Sequence, residues 1–107
     1  MNTLEVIKEQ LASNDVILYM KGTPQFPQCG FSAQVIDVLK PIGRQFAYVN
    51  ILENPDIRST LPEFANWPTF PQLWVKGELV GGCDIVIEMA RNGELKPLVE
   101  DATDAPE

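Results

Sequence analysis

A chain of 107 residues is the size of one domain. Its 45% hydrophobic and 21% charged residues are the composition of a folded chain rather than a disordered one. A net charge of −7 argues against a nucleic-acid-binding face or an anionic membrane surface. No apolar run approaches the roughly 20 residues of a membrane span, and residues 1–15, with Glu5, Lys8, Glu9 and Asp15, show no secretory pattern. The expectation is a cytoplasmic protein without membrane or nucleic-acid partners. The chain has no histidine, which removes histidine metal ligands, histidine general bases and Ser–His–Asp chemistry together.

Taken in chain order, residues 3–13 place Leu4, Ile7, Lys8 and Leu11 at helical spacing, and Asn14-Asp15 closes that helix. Residues 16–20, VILYM, read as a buried strand. Residues 22–28, with one glycine and two prolines, read as an irregular loop. From Gly30 a helix follows with Phe31, Val35, Val38 and Leu39 on one face, stopped by Pro41 and Gly43. Residues 46–51 read as a second strand. Asn54-Pro55 opens a helix over 56–64 with proline in its first turn. The proline-punctuated segment 67–71 leads to strand 72–75, and Lys76-Gly77 turns it into strand 78–81. Gly81-Gly82 breaks the chain, Asp84 is placed to cap a helix over 85–92, and a short helix is expected at 94–101. Met20, Met89 and the aliphatic set are assigned to the core, Trp67 and Trp74 to core and rim. Glu100, Asp101, Asp104 and Glu107 end the chain, so the domain is drawn at 1–102 with an acidic disordered tail at 103–107. The order α β α β α β β α α predicts an α/β protein of thioredoxin-like fold, a four-stranded mixed sheet with helices on both faces.

Two cysteines, Cys29 and Cys83, are too few for a disulfide scaffold. Cys29 stands after a buried strand and loop and immediately before a helix, where backbone N–H groups favour an anion. A thiol so placed has a lowered pKa, and Lys21 adds positive potential. The redox pattern C-x-x-C would place a second thiol at Ser32. Without one, any oxidised form of Cys29 must use Cys83, a second chain or a small molecule.

Cys29-Gly30-Phe31-Ser32 after Lys21-Gly22-Thr23-Pro24, with Trp67-Pro68-Thr69-Phe70-Pro71-Gln72 and Gly81-Gly82-Cys83-Asp84, resembles the monothiol glutaredoxins of the CGFS type. The resemblance runs from the first helix to about residue 100 and is closest to the short bacterial form. It implies a glutathione site. Lys21 and Arg58 would hold the glycine carboxylate and the Phe70 backbone would pair with the cysteinyl part. Cys83 backbone and Asp84 would hold the γ-glutamyl end, with a cis Pro71 facing Cys29. Asp84 is read as an N-cap, a ligand group, or both. The Cys83 thiol is read either as a passive filler or as one half of a regulatory disulfide.

A [2Fe–2S] cluster takes four protein thiolate ligands in most proteins. One Cys29 and one glutathione thiol from each of two chains make four, so the count predicts a cluster bridging a homodimer, as the resemblance also implies. Cys29 with Cys83 from each chain is the alternative set. The function implied is iron–sulfur cluster transfer to apo recipient proteins and iron homeostasis, with a BolA-type protein as heterodimer partner. A glutathione-dependent oxidoreductase acting through Cys29 is the alternative, and a redox sensor using both cysteines is a third reading. The resemblance implies that the loop at 22–28 favours the cluster over deglutathionylation.

Overall fold

The first helix, α1 (Thr3–Ser13), begins where Asn2 accepts the Glu5 N–H on its side chain at 2.9 Å and the Glu5 carboxylate accepts the Asn2 N–H at 3.2 Å. Two orphan donors are thereby satisfied reciprocally. This computed structural model describes residues 1–102, and the tail expected at 103–107 lies outside the described residues. After α1 come β1 (Val16–Met20), α2 (Gly30–Leu39), a 3-10 turn (Lys40–Ile42), β2 (Ala47–Asn50) and α3 (Pro55–Ala65). Then follow β3 (Gln72–Val75), β4 (Glu78–Gly81), α4 (Cys83–Arg91) and α5 (Leu95–Asp101).

The four strands form one mixed sheet in the order β2-β1-β3-β4. β1 runs parallel to β2, with Ile17 opposite Ala47 and Met20 opposite Asn50. It runs antiparallel to β3, with Leu18 opposite Leu73, and β3 pairs antiparallel with β4 through the Lys76-Gly77 turn, both of whose residues have positive φ. Because β1 is central and covered on both faces, it reads as a continuous apolar run. Its residues alternate between two cores. Val16, Leu18 and Met20 pack with Val35, Ile36 and Leu39 of α2, Val86 of α4 and Leu95 and Val99 of α5. Ile17 and Tyr19 pack with Ile7 and Leu11 of α1, Ile57 and Leu61 of α3, and Trp74. The fold is therefore the four-stranded mixed sheet with helices on both faces that the element order predicts. Among the described residues no helix is long and apolar enough to cross a membrane.

The structure corrects several local expectations. β2 is shorter than 46–51, because the chain turns at once after Asn50, with the Glu53 N–H donating to the Asn50 carbonyl at 3.1 Å. α3 runs on to Ala65 and is closed by Asn66 in the left-handed region. Pro41 does not stop α2 abruptly; it sits in the 3-10 turn, which ends at left-handed Gly43. Phe31 leaves the core face of α2 and is 60% exposed, its place in the buried set being taken by Ser32 and Ile36. α4 begins earlier than expected, with Gly82 at the cap, so Asp84 lies in the first turn and is not the N-cap. The assignment of the tryptophans to core and rim holds: Trp74 is buried in the core and Trp67 is partly exposed.

Candidate functional site

The site grows from three chain segments at one end of the sheet. In the first, Cys29 is the N-cap of α2: its Sγ accepts the Ser32 N–H at 3.3 Å. Cys29 Sγ and Ser32 Oγ lie 3.4 Å apart, and Ser32, fully buried, also accepts the Lys21 N–H at 3.1 Å. Partial burial is the largest single influence on this thiol and opposes its ionisation. It is outweighed by the Ser32 hydroxyl, the Ser32 and Phe31 N–H groups and the Lys21 charge, so the Cys29 pKa is lowered.

The loop before Cys29 is more ordered than its composition suggests. Thr23 and Phe26 exchange backbone hydrogen bonds at 3.2 and 3.0 Å, and the Gln28 N–H donates to the Lys21 carbonyl at 2.9 Å. Gly22 bridges Pro27 in a short antiparallel contact. Glycine is required there: φ is +93°, and a Cβ would lie 2.5 Å from the Phe26 carbonyl oxygen.

The second segment is the approach to β3. The Phe70–Pro71 bond is cis. Gln72, fully buried, holds the segment to the strand: its Nε2 donates to the carbonyls of Trp67 and Thr69 at 3.1 and 3.2 Å, and its Oε1 accepts the Trp74 Nε1–H at 3.1 Å. The third segment is the start of α4. Gly82 is buried against the second segment, since a Cβ there would lie 3.2 Å from both the Pro71 carbonyl and Trp67 Nε1. The Trp67 indole Nε1–H is buried with no hydrogen-bond partner among the described residues. The Cys83 thiol donates to Gln34 Oε1 across 3.7 Å. Its pKa is raised, first by burial and then by the charges of Asp84 and Cys29, so Cys83 stays a thiol where Cys29 ionises.

Between these segments and α3 lies a cavity of about 700 Å³ lined by Lys21, Phe31, Arg58, Pro62, Trp67, Pro68, Thr69, Phe70, Gly82, Cys83, Asp84 and Ile85. That volume suits a small-molecule ligand. It brings together five of the residues singled out in the sequence, Lys21, Arg58, Phe70, Cys83 and Asp84. Cys29 and Pro71 do not line it, although Cys29 feels the charge of Lys21 and acts on Cys83. The cavity presents two cations, one carboxylate and the first N–H groups of α4, which have no partner within the helix. Such a set recognises a zwitterionic ligand with more than one carboxylate.

The glutaredoxin family profile matches residues 16–80. Glutaredoxin 4 of Escherichia coli strain K12 is 63% identical over 99 residues, which are 92% of this chain and 86% of that protein. The chain belongs to the glutaredoxin family. Glutaredoxin 4 of Buchnera aphidicola subsp. Acyrthosiphon pisum is 62% identical over 99 residues, 92% of either chain. Among solved structures, the reduced apo form of poplar GrxS14 matches with a TM-score of 0.79 at 48% identity, over 92% of this chain and 91% of that one. The holo form of glutaredoxin C1 from Populus tremula x tremuloides matches with a TM-score of 0.83 at 28% identity, over 97% of this chain and 92% of that one.

With Ser32 in place of a second thiol, this glutaredoxin is a monothiol member. Sequence reasoning registered Ser32 only as a missing cysteine and not as the hydroxyl that holds the thiolate. The readable signal was its place three residues after an N-cap cysteine, one helical turn on. Gln72 was noted only as the end of a block. Its three partners lie within five residues of it, in the turn before β3 and in β3 itself, but no motif marks a buried glutamine as the group that ties a turn to a strand.

Proposed function

We propose that this glutaredoxin binds glutathione in the cavity between Lys21, Arg58 and Asp84, and carries a [2Fe–2S] cluster shared between two protomers. The carrying observation is one stabilised thiolate, Cys29, beside a cavity with charges of both signs. Lys21 and Arg58 would take the glycine carboxylate. The Phe70 backbone would pair with the cysteinyl part, beside Pro71, and Asp84 with the Cys83 backbone would take the γ-glutamyl ammonium and carboxylate. No three Cys, Asp or Glu side chains gather as a metal site among the described residues. The Cys29 pKa is lowered and that of Cys83 is raised, which favours one thiolate from each chain over the pair Cys29 and Cys83, and a four-ligand cluster would then draw on a second chain and on glutathione thiols. A cluster held half by exchangeable ligands suits transfer to apo recipient proteins in the cytoplasm, and hence iron homeostasis. A BolA-type protein in place of one protomer would give the heterodimer.

Anaerobic reconstitution with iron and sulfide, with and without glutathione, tests this. The expected product is a brown dimer with one cluster and two glutathiones, formed only when glutathione is present. Cys29→Ser should abolish it and Cys83→Ser should leave it largely intact. A colourless monomer under every condition would overturn the carrier reading.

The lowered pKa of Cys29 supports a second reading, glutathione-dependent removal of glutathione from mixed disulfides. The Cys29 thiolate attacks the glutathione sulfur of a protein–glutathione disulfide and the protein thiolate leaves. A second glutathione thiolate then attacks that sulfur on Cys29, releasing glutathione disulfide and restoring the Cys29 thiolate. Turnover of a glutathione mixed disulfide by a colourless monomer is the result that favours it.

A further inference from the structure

We propose that Asn50 is a positioning residue that sets the spacing of Lys21 and Arg58 across the cavity; the inference rests on the glutathione reading of that cavity. Asn50 closes β2 opposite Met20, the last residue of β1. Its side chain then leaves the ladder. Oδ1 accepts the N–H of Gly22 at 2.9 Å and that of Leu52 at 3.0 Å. Its carbonyl accepts the N–H of Glu53 at 3.1 Å and the side-chain amide of Asn54 at 2.8 Å. Asn54 in turn is the cap of α3, and its carbonyl accepts the Arg58 N–H at 3.0 Å.

A continuous run of hydrogen bonds thus joins Gly22, the neighbour of Lys21, to the first turn of α3 and Arg58. The Gly22 bond is the long-range link in that run, spanning 28 residues, while the others are local. Gly22 is buried, so without an acceptor at position 50 its N–H is left without a partner, a costly state for a buried donor. Lys21 is held independently on the thiol side, through its N–H to Ser32 Oγ and its carbonyl to the Gln28 N–H. Trimming Asn50 therefore cuts the side-chain tie between the Lys21 segment and the turn into α3, while the Ile51 N–H to Met20 carbonyl bond at 2.9 Å and the hydrogen bonds of Cys29 stay in place. Two cations that close on one carboxylate need a fixed separation, and small misplacements weaken such clamps.

This separation of the two tethers makes the claim testable on the full chain. Glutathione affinity is measured by calorimetry, the Cys29 titration by thiolate absorbance, and the Gly22 amide by hydrogen exchange. Asn50→Ala should weaken glutathione binding by about tenfold, the scale of one lost hydrogen bond. It should expose the Gly22 amide and leave the Cys29 titration in place. Asn50→Asp, which keeps a side-chain acceptor, should restore both amide protection and affinity. Asn54→Ala, which cuts an exposed link of the same run, should weaken binding by a smaller factor and covers the case in which Asn50→Ala does not fold. Unchanged affinity in Asn50→Ala and Asn54→Ala, a matching shift of the Cys29 titration, or no recovery in Asn50→Asp would each overturn the positioning role. A wild-type chain that binds no glutathione overturns the glutathione reading alone. The Gly22 amide, protected or not in Asn50→Ala, then decides whether Asn50 holds the loop.

Discussion

Cys29 and Ser32 sit one helical turn apart, and their relation carries most of the chemistry at the scale of single residues. Burial by itself would keep the thiol protonated, but three donors and the Lys21 charge reverse its effect. Ser32→Ala removes one donor and leaves the buried end of the Lys21 N–H bond without its acceptor. The expected outcome is a raised Cys29 pKa and a loss of about 1–3 kcal/mol in stability, read from thiolate absorbance against pH and from urea unfolding. The sign of the pH effect follows from linkage. A thiol whose pKa is lower in the folded than in the unfolded chain stabilises the fold above its unfolded pKa. That contribution fades as pH falls through the folded value. Cys83, with its pKa raised by burial and by Asp84 and Cys29, acts in the opposite sense. The difference in stability between wild type and Cys29→Ser should therefore shrink from alkaline pH towards the folded pKa of Cys29, and a flat difference would refute the assignment.

At the scale of elements, the site depends on how each segment begins and ends. The loop at 22–28 is a braced turn because Gly22 takes φ of +93° and lets the chain return within hydrogen-bond reach of Lys21. Gly22→Ala should cost more than about 1 kcal/mol and weaken ligand binding, since the Cβ meets backbone atoms with no room to give. Urea midpoints together with glutathione calorimetry check both effects. By contrast, Asn2→Ala opens the capping box of α1, whose hydrogen bonds run only between Asn2 and Glu5. It should lower stability by about 1 kcal/mol and leave the Cys29 titration unchanged. Gly82 adds a steric condition at the start of α4: its α-hydrogen side faces Pro71 and Trp67 at distances a side chain would close. Gly82→Ala should therefore reduce affinity more than stability.

For the whole molecule, the central strand β1 decides the arrangement by feeding both cores, one under α2, α4 and α5 and one under α1 and α3. The Cys29 thiol rides on one layer and Arg58 on the other, so the cavity forms only when both layers pack on the same sheet. Leu61 is fully buried beneath α3. Leu61→Ala should cost about 2–5 kcal/mol and, through the loosened helix that carries Arg58, lower glutathione affinity in the fraction that stays folded. Thermal unfolding with and without glutathione distinguishes the two effects.

The element order, the strands at 72–75 and 78–81 and the thiolate position before a helix were legible in the sequence by itself. Each depends on local rules: apolar periodicity, a two-residue turn at Lys76-Gly77, a cysteine at an N-cap. Other features came only with the tertiary structure. Phe31 has the spacing of a core residue but faces the cavity, because the apolar stripe of α2 is set by which side meets the sheet. Asp84 has the chemistry of a cap but lies inside α4, because the packed Gly82 backbone starts the helix earlier. Ser32 meets the Lys21 N–H and Asn50 meets the Gly22 N–H only once the segments that carry them have packed together. A local sequence pattern specifies what a segment will become; a hydrogen bond across 28 residues, such as Gly22 to Asn50, exists only after the chain between them has folded.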